Sequence, residues 1–185
     1  WAGKKGIALV GTGDFTHPMW LRELEANLKE SGDGIYSLKS QITNHQSRVR
    51  FLLPSEVSCM YTHYGKGRRV HLLVYLPTFS DVHKFNKDLT TRGANLFSDG
   101  RPIIGLTLAQ VAEIALSVSR KALLIPAHVW TPWFGFYGAM SGYDSLKEAF
   151  GDLEKHIPAV ETGLSSDPAM NWKIAELVNK RIVSF

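Results

Sequence analysis

Short apolar runs, separated by stretches with helical periodicity, constrain this chain more than any other feature. Gly6–Gly13 (GIALVGTG), Phe51-Leu52-Leu53, Val70–Leu76 (VHLLVYL), Ala122–Ile125 and Ile157–Val160 have the length and composition of strands. Between them, residues 18–30 place Leu21, Leu24 and Leu28 on one face, and residues 78–90 place Val82, Phe85 and Leu89. A helix capped by Thr107 does the same with Val111, Ile114, Ala115 and Val118. Thr16 or Asp14 is the expected cap of the first helix, with Pro18 in its opening turn, where a missing N–H costs nothing. Further helices are predicted over 143–150 and from Asp167-Pro168 to about Asn179, and Arg181 begins a strand. Strands alternating with helices predict an α/β fold built on a parallel sheet or barrel. The strands around Phe51 and Val70 are joined only by the polar stretch Tyr61–Arg69, which suggests a hairpin or a tight neighbour pair. Residues 35–47 are polar, weakly patterned and left unassigned.

At 185 residues the chain is long enough for one domain with a real core, and a hydrophobic content of 44% with 21% charged residues is that of an ordinary globular protein. Its apolar runs fall far short of the ~20 residues of a membrane span, and WAGKKGIALVG has no signal-peptide pattern, so a cytoplasmic protein is expected. The single Cys59 has no disulfide partner within the chain and cannot build a cysteine zinc cluster. Any metal must therefore be held by His, Asp or Glu. The net charge of +4 permits an anionic partner without requiring one. Trp1–Lys5 resembles the tail of a helix with no strand before it, and the chain closes inside a strand. A closed (β/α) barrel takes ~250 residues. Residues 1–185 are thus expected to be a single domain, truncated at both ends.

Asp14, Glu56, His71 and His128 sit where predicted strands begin or give out. Carboxylate and imidazole together make a donor set for zinc, manganese or iron, and a carboxylate can bridge two ions. Their spacing matches no local metal motif, so the set depends on the fold. His71 lies within an apolar strand, where a lone histidine is more often a hydrogen-bonded core residue than a ligand. Glu56 needs a cation or a water-filled crevice if it is buried. His128 follows Ala122–Ile125 and Pro126, and the loop after it carries Trp130, Trp133 and Phe134. His83 and His156 are read as surface residues.

The order GTGD, PSEVS, VHLLVYLP, PAHVWTPW and ETGLSSDP resembles the polymerase and histidinol phosphatase (PHP) superfamily, and within it the endonuclease Q-like branch. PAHVWTPWFG and ETGLSSDPAMNW are the most specific blocks of a resemblance that covers nearly the whole chain. It implies a distorted seven-stranded (β/α) barrel, here incomplete, with two or three divalent metals (Zn, Mn or Mg) at the carboxyl ends of its strands. Glu56 is implied as the acidic, bridging ligand, and His71 and His128 as imidazole ligands. Asp14 occupies the superfamily's Thr-Asp-His turn, but Phe15 stands where most members carry a ligand histidine. That leaves Asp14 itself, or His17, as the substitute. The superfamily's opening His-x-His and closing Asp-x-His motifs do not occur in these residues.

Lys66, Arg68 and Arg69 cluster beside the strand of His71 and are candidate phosphate contacts. Trp130 and Trp133 offer faces on which an extruded base can stack. Ser165 and Ser166, in the polar loop before Asp167, are candidate phosphate ligands. The resemblance implies a metal-dependent endonuclease cutting DNA 5′ to deaminated bases. A phosphatase or phosphodiesterase for small metabolites, and a non-catalytic fragment that binds nucleic acid, are the alternatives.

Overall fold

The computed structural model describes residues 1–39, 49–98, 101–163 and 167–184. Its spine is a long antiparallel hairpin, β4 (Arg50–His63) and β5 (Lys66–Leu76), in unbroken register from Leu53↔Leu76 to His63↔Lys66. Tyr64 and Gly65 form the turn with φ of 50° and 74°. Two positive φ values make a type I′ turn, whose twist matches that of the flanking strands. The polar stretch 61–69 is therefore mostly strand.

β1 (Leu9–Gly11) and β6 (Ile103–Ile104) pair in parallel with β4, and β7 (Leu123–Pro126) pairs antiparallel with β5. A second hairpin, β2 (Leu28–Gly32) and β3 (Ile35–Leu38), joins β4 through Tyr36↔Phe51. Among the described residues these make a seven-stranded mixed sheet, and β8 (Ala159–Glu161) pairs in parallel with β9 (Arg181–Val183) in a second, two-stranded one. The parallel sheet expected from the alternation of strands and helices is thus corrected to a mixed one, whereas the hairpin suggested for the strands around Phe51 and Val70 is what β4 and β5 form.

The helices follow their caps. In α2 (Phe79–Thr91) the Thr78 hydroxyl accepts the Asp81 N–H, and α3 (Leu108–Val118) opens with a full capping box between Thr107 and Gln110. The first helix, α1 (Pro18–Asn27), is shorter than its periodicity suggests. Asp33 and Gly34, both at positive φ, turn the chain into the β2–β3 hairpin instead. Neither Thr16 nor Asp14 caps it: His17 is the N-cap and makes no side-chain cap bond, while Thr16 is buried and pairs with the Ser55 hydroxyl at 3.1 Å. Before α4 (Leu146–Phe150), Ser145 supplies the cap.

The last predicted helix is broken. α5 covers only Pro168–Asn171, Ile174 is extended, and a 3-10 turn follows over Ala175–Asn179. Glu176 explains the break, because its carboxylate is drawn to the Tyr137 hydroxyl and the Leu146 N–H. Such tertiary bonds outweigh the weak propensity of a short helix. The core lies between β5 and the helices α2 and α3, with Phe85, Leu89, Val111, Val70, Leu72 and Val74 all fully buried.

Candidate metal centre

Strand alternation sorts the β4–β5 hairpin into two faces. Val57, Cys59, Val70 and Leu72 point into the core, and the other face carries Glu56, Ser58, Arg69 and His71. Because Ser58 faces His71 and Glu56 faces Leu73, Glu56 and His71 are diagonal neighbours on that outer face. Both lie within strands rather than at strand ends, which corrects the expectation of a site at carboxyl ends. His128 follows a strand end, two residues beyond β7, as Asp14 does three residues beyond β1.

The loop after β7 folds back onto His71. Ala127 N–H donates to the His71 carbonyl at 3.1 Å, His71 N–H donates to Phe134 O at 3.0 Å, and the Phe134 ring stacks on the imidazole at 4.5 Å. Close approach makes this return possible: a Cβ on Gly135 would sit 2.8 Å from the His128 carbonyl oxygen. His128 itself has a φ of 32°. A left-handed conformation at a non-glycine residue is strain that the surroundings must hold.

His71 Nδ1 lies 2.8 Å from Glu56 Oε1, 2.9 Å from His128 Nε2 and 3.0 Å from Arg101 Nη1. Arg101 Nη1 is also 3.2 Å from Glu56 Oε1. An imidazole nitrogen carries one proton or one lone pair, so His71 Nδ1 can satisfy only one of these three neighbours. One donor atom each from Glu56, His71 and His128 fit within 4.8 Å of one another. A carboxylate oxygen and two imidazole nitrogens crowded in this way fit a divalent metal ion.

The electrostatics agree with that fit. Burial pushes the Glu56 carboxyl up, but the hydrogen bond to His71 and the charge of Arg101 outweigh it and hold Glu56 below the usual carboxylate range. Burial lowers the His128 pKa, against the opposing charge of Glu56. The shift favours the neutral imidazole, the form that offers a lone pair to a metal.

A crevice of 420 Å³ runs past this centre, lined by Glu56, Leu73, Tyr75 and His128 together with Asp14 and Glu161. Asp14 has a φ of 40° and lines the crevice but stands outside the three-residue cluster. His17 stands at the N-cap position of α1 and is not in the cluster either. Glu161 and Arg101 belong to the surroundings of the site; sequence reasoning noted Glu161 only as part of the polar loop before Asp167 and missed Arg101. Glu161 ends a predicted strand, the same signal that singled out Glu56, whereas nothing in the pattern of the 92–105 loop distinguishes Arg101.

The candidate nucleic-acid residues separate. Arg68 is buried; its guanidinium pairs with Glu148 at 2.6 Å, donates to the Gly142 carbonyl and lies over the Tyr143 ring at 4.0 Å. That placement corrects its assignment as a phosphate contact, since its charge is spent inside the fold. Arg69 is exposed on the same face as His71, with its guanidinium 5.2 Å from the Trp133 ring, and Trp133 is 45% exposed. Lys66 is exposed at the hairpin tip. Trp130 stacks on Tyr137 at 5.1 Å and donates to Asn171 at 2.7 Å, so its ring is largely committed to packing. Ser165 and Ser166 lie outside the described residues. Cys59 is a free, buried thiol whose pKa burial pushes far up, leaving it inert. Among the described residues no helix is long and apolar enough to cross a membrane.

No protein-family model matches the chain. Over 178 residues, 94% of the chain, it is 32% identical to the uncharacterized protein YqxK of Bacillus subtilis, of which it covers 42%. It is 28% identical over 128 residues to the uncharacterized protein MJ0043 of Methanocaldococcus jannaschii, covering 13% of that protein. The lesion-specific endonuclease PfuEndoQ of Pyrococcus furiosus superposes on 99% of the chain with a TM-score of 0.78 and 35% identity. A structure of endonuclease Q in complex with a 27-mer duplex substrate, with an abasic lesion at the active site, gives the same TM-score at 36% identity. The chain spans less than half the length of each of these proteins. At this identity and coverage, the fold of the chain is endonuclease Q-like.

Proposed function

We propose that this chain carries part of the catalytic centre of a metal-dependent DNA repair endonuclease of PHP type, which incises the strand 5′ to a deaminated base. The observation that carries this reading is the convergence of Glu56, His71 and His128 within a fold that matches a lesion-specific endonuclease along nearly the whole chain. In this reading those three side chains would hold the ion, and Asp14 lines the same crevice. When bound there, a divalent ion would supply Lewis-acid activation of water and of the phosphoryl group.

The chain's own residues do the rest. The Phe134 ring and the two backbone bonds to residue 71 fix the His71 imidazole. Arg69 stands two residues from His71 on the same face, about 7 Å along the strand. With one face of its guanidinium on Trp133, the edge stays free to donate to a backbone phosphate. Lys66 lies at the exposed hairpin tip, on the side of the strand that carries Arg68 and not on the face of Arg69. Trp133 is the better platform for an unstacked base, because Trp130 is held by Tyr137 and Asn171.

A duplex oligonucleotide carrying one deoxyuridine, with deoxyinosine and abasic versions beside it, tests the reading in the presence of Mn²⁺, Zn²⁺ or Mg²⁺. The expected result is a single incision at the lesion that chelator and His128→Ala both abolish. Hydrolysis of small phosphoesters with no incision of any duplex would overturn it in favour of a metabolite phosphatase. Salt-sensitive binding without turnover would mark a non-catalytic nucleic-acid binder.

A further inference from the structure

The corner at His128 needs an agent that holds it. Its φ of 32° is one that a side chain bearing a Cβ leaves unless neighbours prevent it. Glu161, at the end of β8 in the other sheet, grips this corner twice. Its Oε2 accepts the His128 N–H at 2.8 Å, and its carbonyl oxygen accepts the Val129 N–H at 2.9 Å. The same Oε2 is 3.8 Å from His128 Nδ1, beyond hydrogen-bond length, so the grip is on the backbone and not on the imidazole. With its side chain only 19% exposed, Glu161 is shielded from competing water.

We propose that Glu161 is a positioning residue of the metal centre: it fixes the left-handed corner at 128–129 so that His128 Nε2 faces His71 and Glu56. The inference rests on reading those three residues as the metal-binding set. It has a chemical signature, because a backbone N–H requires an acceptor oxygen and not a negative charge. Glutamine supplies that oxygen with the same reach, and alanine does not. A Glu161 that ligated the metal directly would depend on the charge and would fail with either substitution.

The test compares wild type, Glu161→Gln and Glu161→Ala in two measurements. Titration with Co²⁺, followed by its visible absorption, reads metal affinity and ligand geometry. Amide hydrogen exchange at His128 in chelator-treated protein reads the corner without any metal. The proposal expects Glu161→Gln to keep the Co²⁺ spectrum and the affinity to within about threefold. Glu161→Ala should lose ~10–100-fold in affinity, the usual cost of removing an outer support of a metal ligand. Its His128 amide should also exchange at least ~10-fold faster, since a protecting hydrogen bond is lost. Loss of Co²⁺ binding in Glu161→Gln would overturn the proposal and make the carboxylate a ligand; this arm stands even if Glu161→Ala fails to fold. Unchanged amide exchange in a folded Glu161→Ala would overturn it as well. Should wild type bind no Co²⁺, the endonuclease reading fails, while the exchange measurement still decides whether Glu161 holds the corner.

Discussion

Arg68 and Arg69 follow one another on β5, yet one is enclosed by Glu148, Tyr143 and the Gly142 carbonyl while the other stands in solvent against Trp133. They differ only in which side of the strand they leave. On the inner side Arg68 joins a polar cluster in which the Tyr143 hydroxyl meets Tyr61 at 2.7 Å and His63 at 2.9 Å, tying the hairpin to the loop before α4. On the outer side Arg69 shares its face with His71 and the crevice. One backbone thus serves two purposes, and a cluster of cations in the sequence does not by itself make a surface for nucleic acid.

The largest effect that would sharpen this contrast is on stability. Arg68→Ala should destabilise the fold by about 3 kcal/mol, because it leaves Glu148 and the Gly142 carbonyl without their partner. The urea midpoint measures it, and a loss below about 0.5 kcal/mol would break the contrast. Arg69→Ala should change stability by less than about 0.5 kcal/mol but weaken DNA binding several-fold, lowering the slope of log K against log salt by about 1. An unchanged salt slope would remove Arg69 from the interface.

The smallest effect concerns pH. His128 is neutral in the fold at pH values where an ordinary histidine takes up its proton, so the unfolded chain protonates first as pH falls. This contribution to stability is full above the ordinary histidine pKa and is lost as pH drops through the folded value. Metal-free protein should therefore lose stability between about pH 7 and pH 5 more steeply than His128→Ala does. Parallel curves for the two proteins would show that burial does not hold the imidazole neutral.

Much of the framework is legible in the sequence where a local signal has a single structural answer. Thr78 and Thr107 predict their helices because an N-cap oxygen serves one place, and the apolar run Val70–Leu76 predicts its strand. Glu56, His71 and His128 are singled out by residue type and by resemblance, and the structure brings them within reach of a common ion. What escapes the sequence is direction. The short link 61–69 points to the β4–β5 hairpin, but a strand has the same composition whether its partner runs with it or against it, so the antiparallel pairing of β7 with β5 could not be read, nor could the length of β4 that puts Glu56 in mid-strand. Arg101 and the grip of Glu161 on His128 depend on loops and a second sheet, at sequence separations no periodicity spans. The broken helix after Asp167 has a related cause, a distant carboxylate bond from Glu176.

The tight turn at Tyr64-Gly65 bears on how this protein can change over time. Side chains alternate with a period of two, so inserting or deleting one residue in β4 or β5 between the turn and the site would send Glu56 or His71 to the wrong side. Changes of two residues would lengthen or shorten the tip and leave every outward group outward. The hairpin is therefore expected to vary in length among related proteins in steps of two, a parity rule that an aligned set of sequences can check directly.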